Sequence, residues 1–352
     1  MLKQLILFLG IPYLFLTCGV EAPSVPLITA YKLNDSLKID YRGEGDMVTC
    51  RLFDRQASME KIGDGHFQLI VPVVALDSSV FGFYIKSYRL NADNKSELIA
   101  SHSHEWKGTH IKAFVENNQL RGSYLTDSLY DTSTKKNRNY SMYLPSLSET
   151  KLDTINVVIM TDGESMPRYY KYVDALNHQK QIQPLALFGL HSTKGKSDQH
   201  SIRYLEYVFR NDNNPYFINH ETFFLETFIP FIERTVEPYC NHISFSLYGY
   251  SNGGAFCNYL GLNYPERFEY VTTFSTAGYI SSFSERKEYY FAEYPNFYLG
   301  AGKYEYGILE DNQFFCEELE SNNVRYEFNE FNSGHDYVTW RYQFLNFLEK
   351  IF

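Results

Sequence analysis

The sequence predicts two folded parts, a small all-β sandwich followed by a larger α/β domain whose mostly parallel sheet carries helices on both faces. Three observations lead there. Short alternating or apolar runs separated by turn-formers recur from residue 21 to about 112, the pattern of paired short strands. From about residue 116, buried strand-like runs alternate with helical patterns to the end of the chain, and such alternation lays crossover helices over a parallel sheet. Within that second part, residues 242–254 read as an apolar strand, a tight glycine-bearing turn and a helix in direct succession.

In chain order, the first residues read as a targeting signal. Lys3 supplies positive charge, and Leu5 through Leu16 form an apolar core of signal-peptide length, too short to span a bilayer comfortably. Phe15-Leu16-Thr17-Cys18-Gly19 resembles a bacterial lipoprotein box, with Thr17 where Gly, Ala or Ser is usual. Cys18 would then be the lipid-modified first residue and the chain's contact with a membrane. Lipidation, ordinary cleavage and a retained anchor all place the mature protein outside the cytoplasm, in the periplasm or at the outer membrane. The expected parts are a signal peptide over 1–17, an immunoglobulin-like β-sandwich over 18–115 and an α/β domain over 116–352.

Composition narrows the partners. Aromatic residues make up 17% of the 352, with 31 Tyr and 28 Phe, which points to aromatic-rich cores. A formal net charge of −10 argues against a nucleic-acid partner, because phosphate binding needs a basic stripe. The basic run Lys135-Lys136-Asn137-Arg138 reads as a solvated loop. Cys50, Cys240, Cys257 and Cys316 would permit disulfides in an oxidising compartment, but none has metal-ligand spacing, and Cys257 reads as a small buried hydrophobe.

The sandwich strands are expected at 37–41, 47–52, 67–72 and 80–88, with turns at 42–46, 63–65 and 90–96. His102, His104 and His110 read as strand-end polar residues rather than a metal cluster, and no chemistry is assigned to this part. In the α/β part, early antiparallel strands are expected at 120–124 and 138–145, with later strands at 155–160, 185–190, 270–275, 296–300 and 324–331. Helices are expected at 168–176, 221–236, 310–321 and 339–350. Pro265 ends the helix that follows the turn at 249–253.

That turn carries the chemistry. Gly249-Tyr250-Ser251-Asn252-Gly253 fits the G-x-S-x-G pattern in which a sharp strand-to-helix turn lifts a serine hydroxyl out of the sheet. A serine hydroxyl needs a base, and the base needs a third group to fix its tautomer. His335, after the last strand, is the only histidine C-terminal to His242 and is the expected base. The acid should follow the penultimate strand, where Glu305 is the first carboxylate and Asp311 the alternative; Glu310 and Asp311 also suit the positive end of a helix. The oxyanion needs backbone donors, expected from the amide of Asn252 and from that of Gly163 or Glu164, in the loop 161–165.

These residues carry a resemblance. The segment ending Tyr143-Leu144-Pro145, then Met160-Thr161-Asp162-Gly163-Glu164, Phe228-Ile229-Pro230-Phe231-Ile232-Glu233, the turn at 249–254 and Gly334-His335-Asp336-Tyr337-Val338-Thr339-Trp340-Arg341 occur in order. Together they resemble the enterochelin-esterase and esterase-D branch of the α/β-hydrolases, over roughly residues 119–352. The resemblance implies an α/β-hydrolase domain, serine esterase activity and no metal or organic cofactor. An amino-terminal sandwich is similar to enterochelin-esterase architecture, and Gly302-Lys303-Tyr304-Glu305 matches the branch's acid motif. Two features depart from the pattern. The serine is followed by Asn252-Gly253-Gly254, and the Arg-x-x-Glu segment is matched only by Arg203-Tyr204-Leu205-Glu206 amid a longer insertion. That region should border the substrate pocket, with His191, Arg203 and Tyr250 as candidate substrate-binding residues.

The function expected is exported ester hydrolysis through a Ser251–His335–Glu305 triad and an acyl-enzyme, acting on a small-molecule or polysaccharide-linked substrate. The resemblance permits siderophore, hydroxycinnamoyl or acetyl esters, and export argues against cytosolic S-formylglutathione hydrolysis. The alternatives are an idle hydrolase-fold protein that binds a glycan or partner, and an acyltransferase using the same residues.

Overall fold

The computed structural model describes residues 26–147, 151–208, 213–278 and 293–352. The expected signal peptide and Cys18 lie outside the described residues.

Among the described residues, the amino-terminal part contains eight strands: β1 (Leu27–Leu33), β2 (Ser36–Arg42), β3 (Met47–Leu52), β4 (Arg55–Ser58), β5 (Glu60–Gly63), β6 (His66–Pro72), β7 (Val80–Leu90) and β8 (Ser96–Lys107). They form two antiparallel sheets, β1-β2-β6-β5 and β4-β3-β7-β8. Alternation decides which face goes inside. Leu37, Ile39 and Tyr41 of one sheet and Val48, Cys50, Phe81, Phe83 and Ile85 of the other point inward and share one core. His102 and His104 stand within β8 rather than at a strand end, and the His104 ring stacks on Phe83 at 5.5 Å. The strand's polar, Ser- and His-rich face explains why periodicity alone did not mark it.

The second part is built on an eight-stranded sheet. Its strands are β9 (Ser123–Asp131), β10 (Lys136–Leu144), β11 (Leu152–Met160), β12 (Leu185–Leu190), β15 (Cys240–Tyr250), β16 (Tyr270–Phe274), β17 (Asn296–Gly302) and β18 (Tyr326–Phe331), with a two-residue pair, β13 (Lys196–Ser197) and β14 (His200–Ser201), beside it. The order is β18-β17-β16-β15-β11-β12-β10-β9. β10 runs antiparallel to both neighbours, and the strands from β12 to β18 pair in parallel. β9 lies further along the chain than expected, because residues 132–135 make a tight hairpin instead of a long polar loop. Arg138, the last of the basic run, is therefore not solvated; it is buried against Glu206 at 2.9 Å.

Helices α1 (Tyr170–His178) and α7 (Tyr337–Ile351) cover one face. The other is covered by α3 (Pro215–Phe223), α4 (Ile229–Val236), α5 (Asn252–Asn263) and α6 (Ile308–Ser321), while the short α2 (Ile202–Tyr207) lies near α3 and α5. The expected helix at 221–236 starts earlier, at Pro215, where Asn214 accepts from the amides of Tyr216 and Phe217. A π-turn over Phe224–Phe228 separates α3 from α4, since Pro230 has no N–H to continue the ladder. Two aromatic cores result, one on each face, and they absorb much of the Tyr and Phe content. The linker between the two parts is tied down by Asp174 of α1, which accepts from the amides of Arg121 and Gly122 and from the Tyr143 hydroxyl. All four described cysteines are buried and free, and burial pushes the thiols of Cys50 and Cys316 up to about 12.

Candidate active site

Ser251 sits at the carboxyl end of β15, with φ 54° and ψ −133°, immediately before α5. A non-glycine residue in that region is strained, and neighbouring contacts hold it there: its N–H donates to Phe274 O at 3.0 Å and its own carbonyl accepts from Ala277 N at 3.1 Å. The turn tolerates no Cβ at its flanking glycines. One on Gly249 would stand 2.6 Å from Gly253 O, and one on Gly253 would stand 2.3 Å from Thr161 Oγ1.

The loop after β18 brings His335 to this serine, with Nε2 3.0 Å from Ser251 Oγ. The loop after β17 brings Glu305, whose Oε1 lies 2.5 Å from His335 Nδ1. Glu305 is buried, and its other oxygen accepts from Ser275 Oγ and Gly302 N, each at 2.6 Å. Asp311, the alternative acid, is exposed in the first turn of α6. Asp336 caps α7, accepting from the amides of Val338 and Thr339 at 3.0 Å. Trp340 packs edge-on against the His335 ring at 4.6 Å and donates from Nε1 to Ser275 Oγ at 2.8 Å. Arg341 pairs with Glu105 of β8 at 2.9 Å.

Opposite the serine, β11 runs through Thr161 and Asp162, the latter at φ 52°, into a short 3-10 helix over Gly163–Arg168. The amides of Asn252 and Gly163 both open a helical segment, where backbone N–H groups lack intrahelical partners. Arg203 fastens these two ends together. Its Nε and Nη2 donate to Asp162 at 2.5 and 2.7 Å, and Nη1 donates to Asn252 Oδ1 at 3.0 Å. Burial alone would lower the Arg203 pKa, but the Asp162 carboxylate outweighs it and holds the guanidinium charged. Tyr207 adds a hydroxyl acceptor for Asp162 N at 3.0 Å. Glu164 turns its carboxylate to Ser192 N at 3.1 Å.

The cleft beside Ser251 holds about 370 Å³ and is lined from the larger domain by Arg203, Tyr250, His335, Tyr337 and Trp340 among others. Tyr250 stacks on Trp340 at 4.6 Å. His191 does not line it; its Nε2 pairs with Ser141 Oγ at 2.8 Å, and burial lowers its pKa. The sandwich, to which the sequence assigned no chemistry, supplies Arg51, Phe53, Asp54, Gly82 and Tyr84 to the same cleft. No local pattern marks them, because only the packing of the two parts brings them to Ser251. Among the described residues, no group of three or more His, Cys, Asp or Glu is arranged to hold a metal ion.

The fold is that of the esterase-like α/β-hydrolases. Residues 132–294 match the family model Esterase, described as "Putative esterase". Among solved structures, the chain is similar to the enterochelin esterase from Shigella flexneri (14% identity, 92% of this chain and 94% of that chain, TM-score 0.66). It is also similar to the ferric enterobactin esterase from Salmonella typhimurium (14% identity, 92% and 95%, TM-score 0.65). A ferulic acid esterase matches at 15% identity over 66% of this chain and 98% of its own, with a TM-score of 0.50. No curated protein matches the chain by sequence.

Proposed function

We propose that this protein is an exported serine esterase. The observation that carries the reading is the continuous chain of contacts from Glu305 Oε1 through His335 Nδ1 and Nε2 to Ser251 Oγ. In this reading, His335 takes the Ser251 proton as Oγ attacks the ester carbonyl, while Glu305 fixes the imidazole tautomer and stabilises the imidazolium. The amide of Asn252, with that of Gly163 or Glu164, receives the oxyanion. His335 then protonates the departing alcohol, and water, deprotonated by the same imidazole, releases the acid.

For the substrate, a siderophore-type ester is favoured over a hydroxycinnamoyl or acetyl ester. Likeness to the enterochelin and ferric enterobactin esterases extends over 92% of this chain, sandwich included, whereas likeness to the ferulic acid esterase covers 66%. The export half of the proposal rests on the signal-like residues 1–17 and on Cys18 as the lipid-modified residue, which would hold the protein at a periplasmic or outer-membrane surface. Ser251→Ala should lower p-nitrophenyl acetate turnover by at least ~10³-fold and abolish fluorophosphonate labelling. Wild-type turnover in that variant would overturn the mechanism.

A further inference from the structure

The sandwich touches both catalytic loops with one two-residue turn, Phe53-Asp54, between the paired residues Leu52 and Arg55 of β3 and β4. Both turn residues have positive φ, 50° and 61°, as a type I′ hairpin turn requires, and the usual occupants are Asn-Gly. A phenylalanine is a poor occupant, since its Cβ crowds the neighbouring carbonyl in this region. What these two side chains gain lies across the domain seam.

The Phe53 ring stacks on Tyr304, with centroids 4.3 Å apart and planes 14° from parallel, and Tyr304 adjoins Glu305. The Phe53 backbone also lies so close to Gly334 that a Cβ there would stand 2.7 Å from Phe53 Cα. Asp54 Oδ2 accepts the backbone N–H of His335 at 3.0 Å, while Oδ1 is held by Arg51 Nη2 at 2.6 Å. The Arg51–Asp54 pair is partly solvated, with side chains 58% and 36% exposed, so it contributes little to stability.

We propose that the Phe53-Asp54 turn is a working part of the catalytic apparatus, with Asp54 a positioning residue that holds His335 in register with Ser251 through its backbone N–H. This rests on the serine-esterase reading above. Glycine suits the second position of a type I′ turn better than aspartate does, so Asp54→Gly removes the acceptor while favouring the hairpin. In steady-state kinetics with p-nitrophenyl acetate, Asp54→Gly should lose ~10- to 100-fold in kcat, with KM within about twofold of wild type and an unchanged or higher Tm. Asp54→Asn, whose amide oxygen can still accept the His335 N–H, should stay within about threefold of wild-type kcat. Wild-type kcat in Asp54→Gly, or equal loss in the Gly and Asn variants, overturns the proposal while leaving the esterase reading intact. A wild-type protein that neither turns over the ester nor reacts with a fluorophosphonate removes that reading, and this one with it.

Discussion

A carboxylate that is to hold an imidazole must itself be held. Both oxygens of Glu305 are engaged, one by His335 Nδ1 and the other by Ser275 Oγ and Gly302 N, so the side chain has little freedom to turn away. Ser275 is in turn held by the Trp340 indole. Glu305→Gln keeps the shape but can present an N–H where an acceptor is required, favouring the wrong imidazole tautomer. The expected result is a fall in kcat of ~10²- to 10⁴-fold with KM little changed, read by steady-state ester hydrolysis; a wild-type kcat would remove Glu305 from the proposed triad. A different constraint governs His220, buried beside Arg138, where burial and then the neighbouring guanidinium hold its pKa well below the usual histidine value. It is kept neutral, its Nδ1 placed to accept from Arg138 Nη2 at 2.8 Å.

Among elements, α5 and the segment just after β11 meet at Gly253, where a methyl group would stand 2.3 Å from Thr161 Oγ1 and 3.0 Å from Asp162 Oδ2. Gly253→Ala therefore has to part the serine turn from the loop that faces it. It should cost ~1–3 kcal/mol of stability and lower kcat at the same time, measured by urea unfolding and ester hydrolysis of the same preparation. This junction was legible in the sequence because a strained serine demands small neighbours, and the demand leaves a local pattern. His335 was legible for a related reason, since no other histidine follows His242. The β3–β4 hairpin was not, because Phe-Asp is not a turn signal. β8 was hidden by its polar outer face. The π-turn before Pro230 escaped notice because an apolar helix reads the same on both sides of it.

At the scale of the whole molecule, two parts with separate cores share a seam in which polar contacts stand beside the Phe53–Tyr304 stack. Thr339 Oγ1 donates to Val80 O at 2.7 Å, Gly82 N donates to Asp336 at 3.0 Å, Arg341 pairs with Glu105 at 2.9 Å, and Lys112 pairs with Glu349. Several of these partners, Gly82, Asp336 and Thr339 among them, are buried, and Asp336 follows His335 directly, so separating the domains would expose the loop that carries His335. A single calorimetric transition is expected, with van't Hoff and calorimetric enthalpies in agreement; two endotherms would show that the seam does not couple the domains. Sequence patterns gave both architectures but not the seam, because contacts between distant segments leave no periodicity. The absence of room at Gly334, where the Phe53 backbone fills the space of a side chain, has a consequence for ancestry. A sandwich transplanted from a distant cousin would arrive with a foreign turn and find the histidine loop already shaped for another, so the two halves of this gene should have diverged in step rather than been shuffled as interchangeable modules.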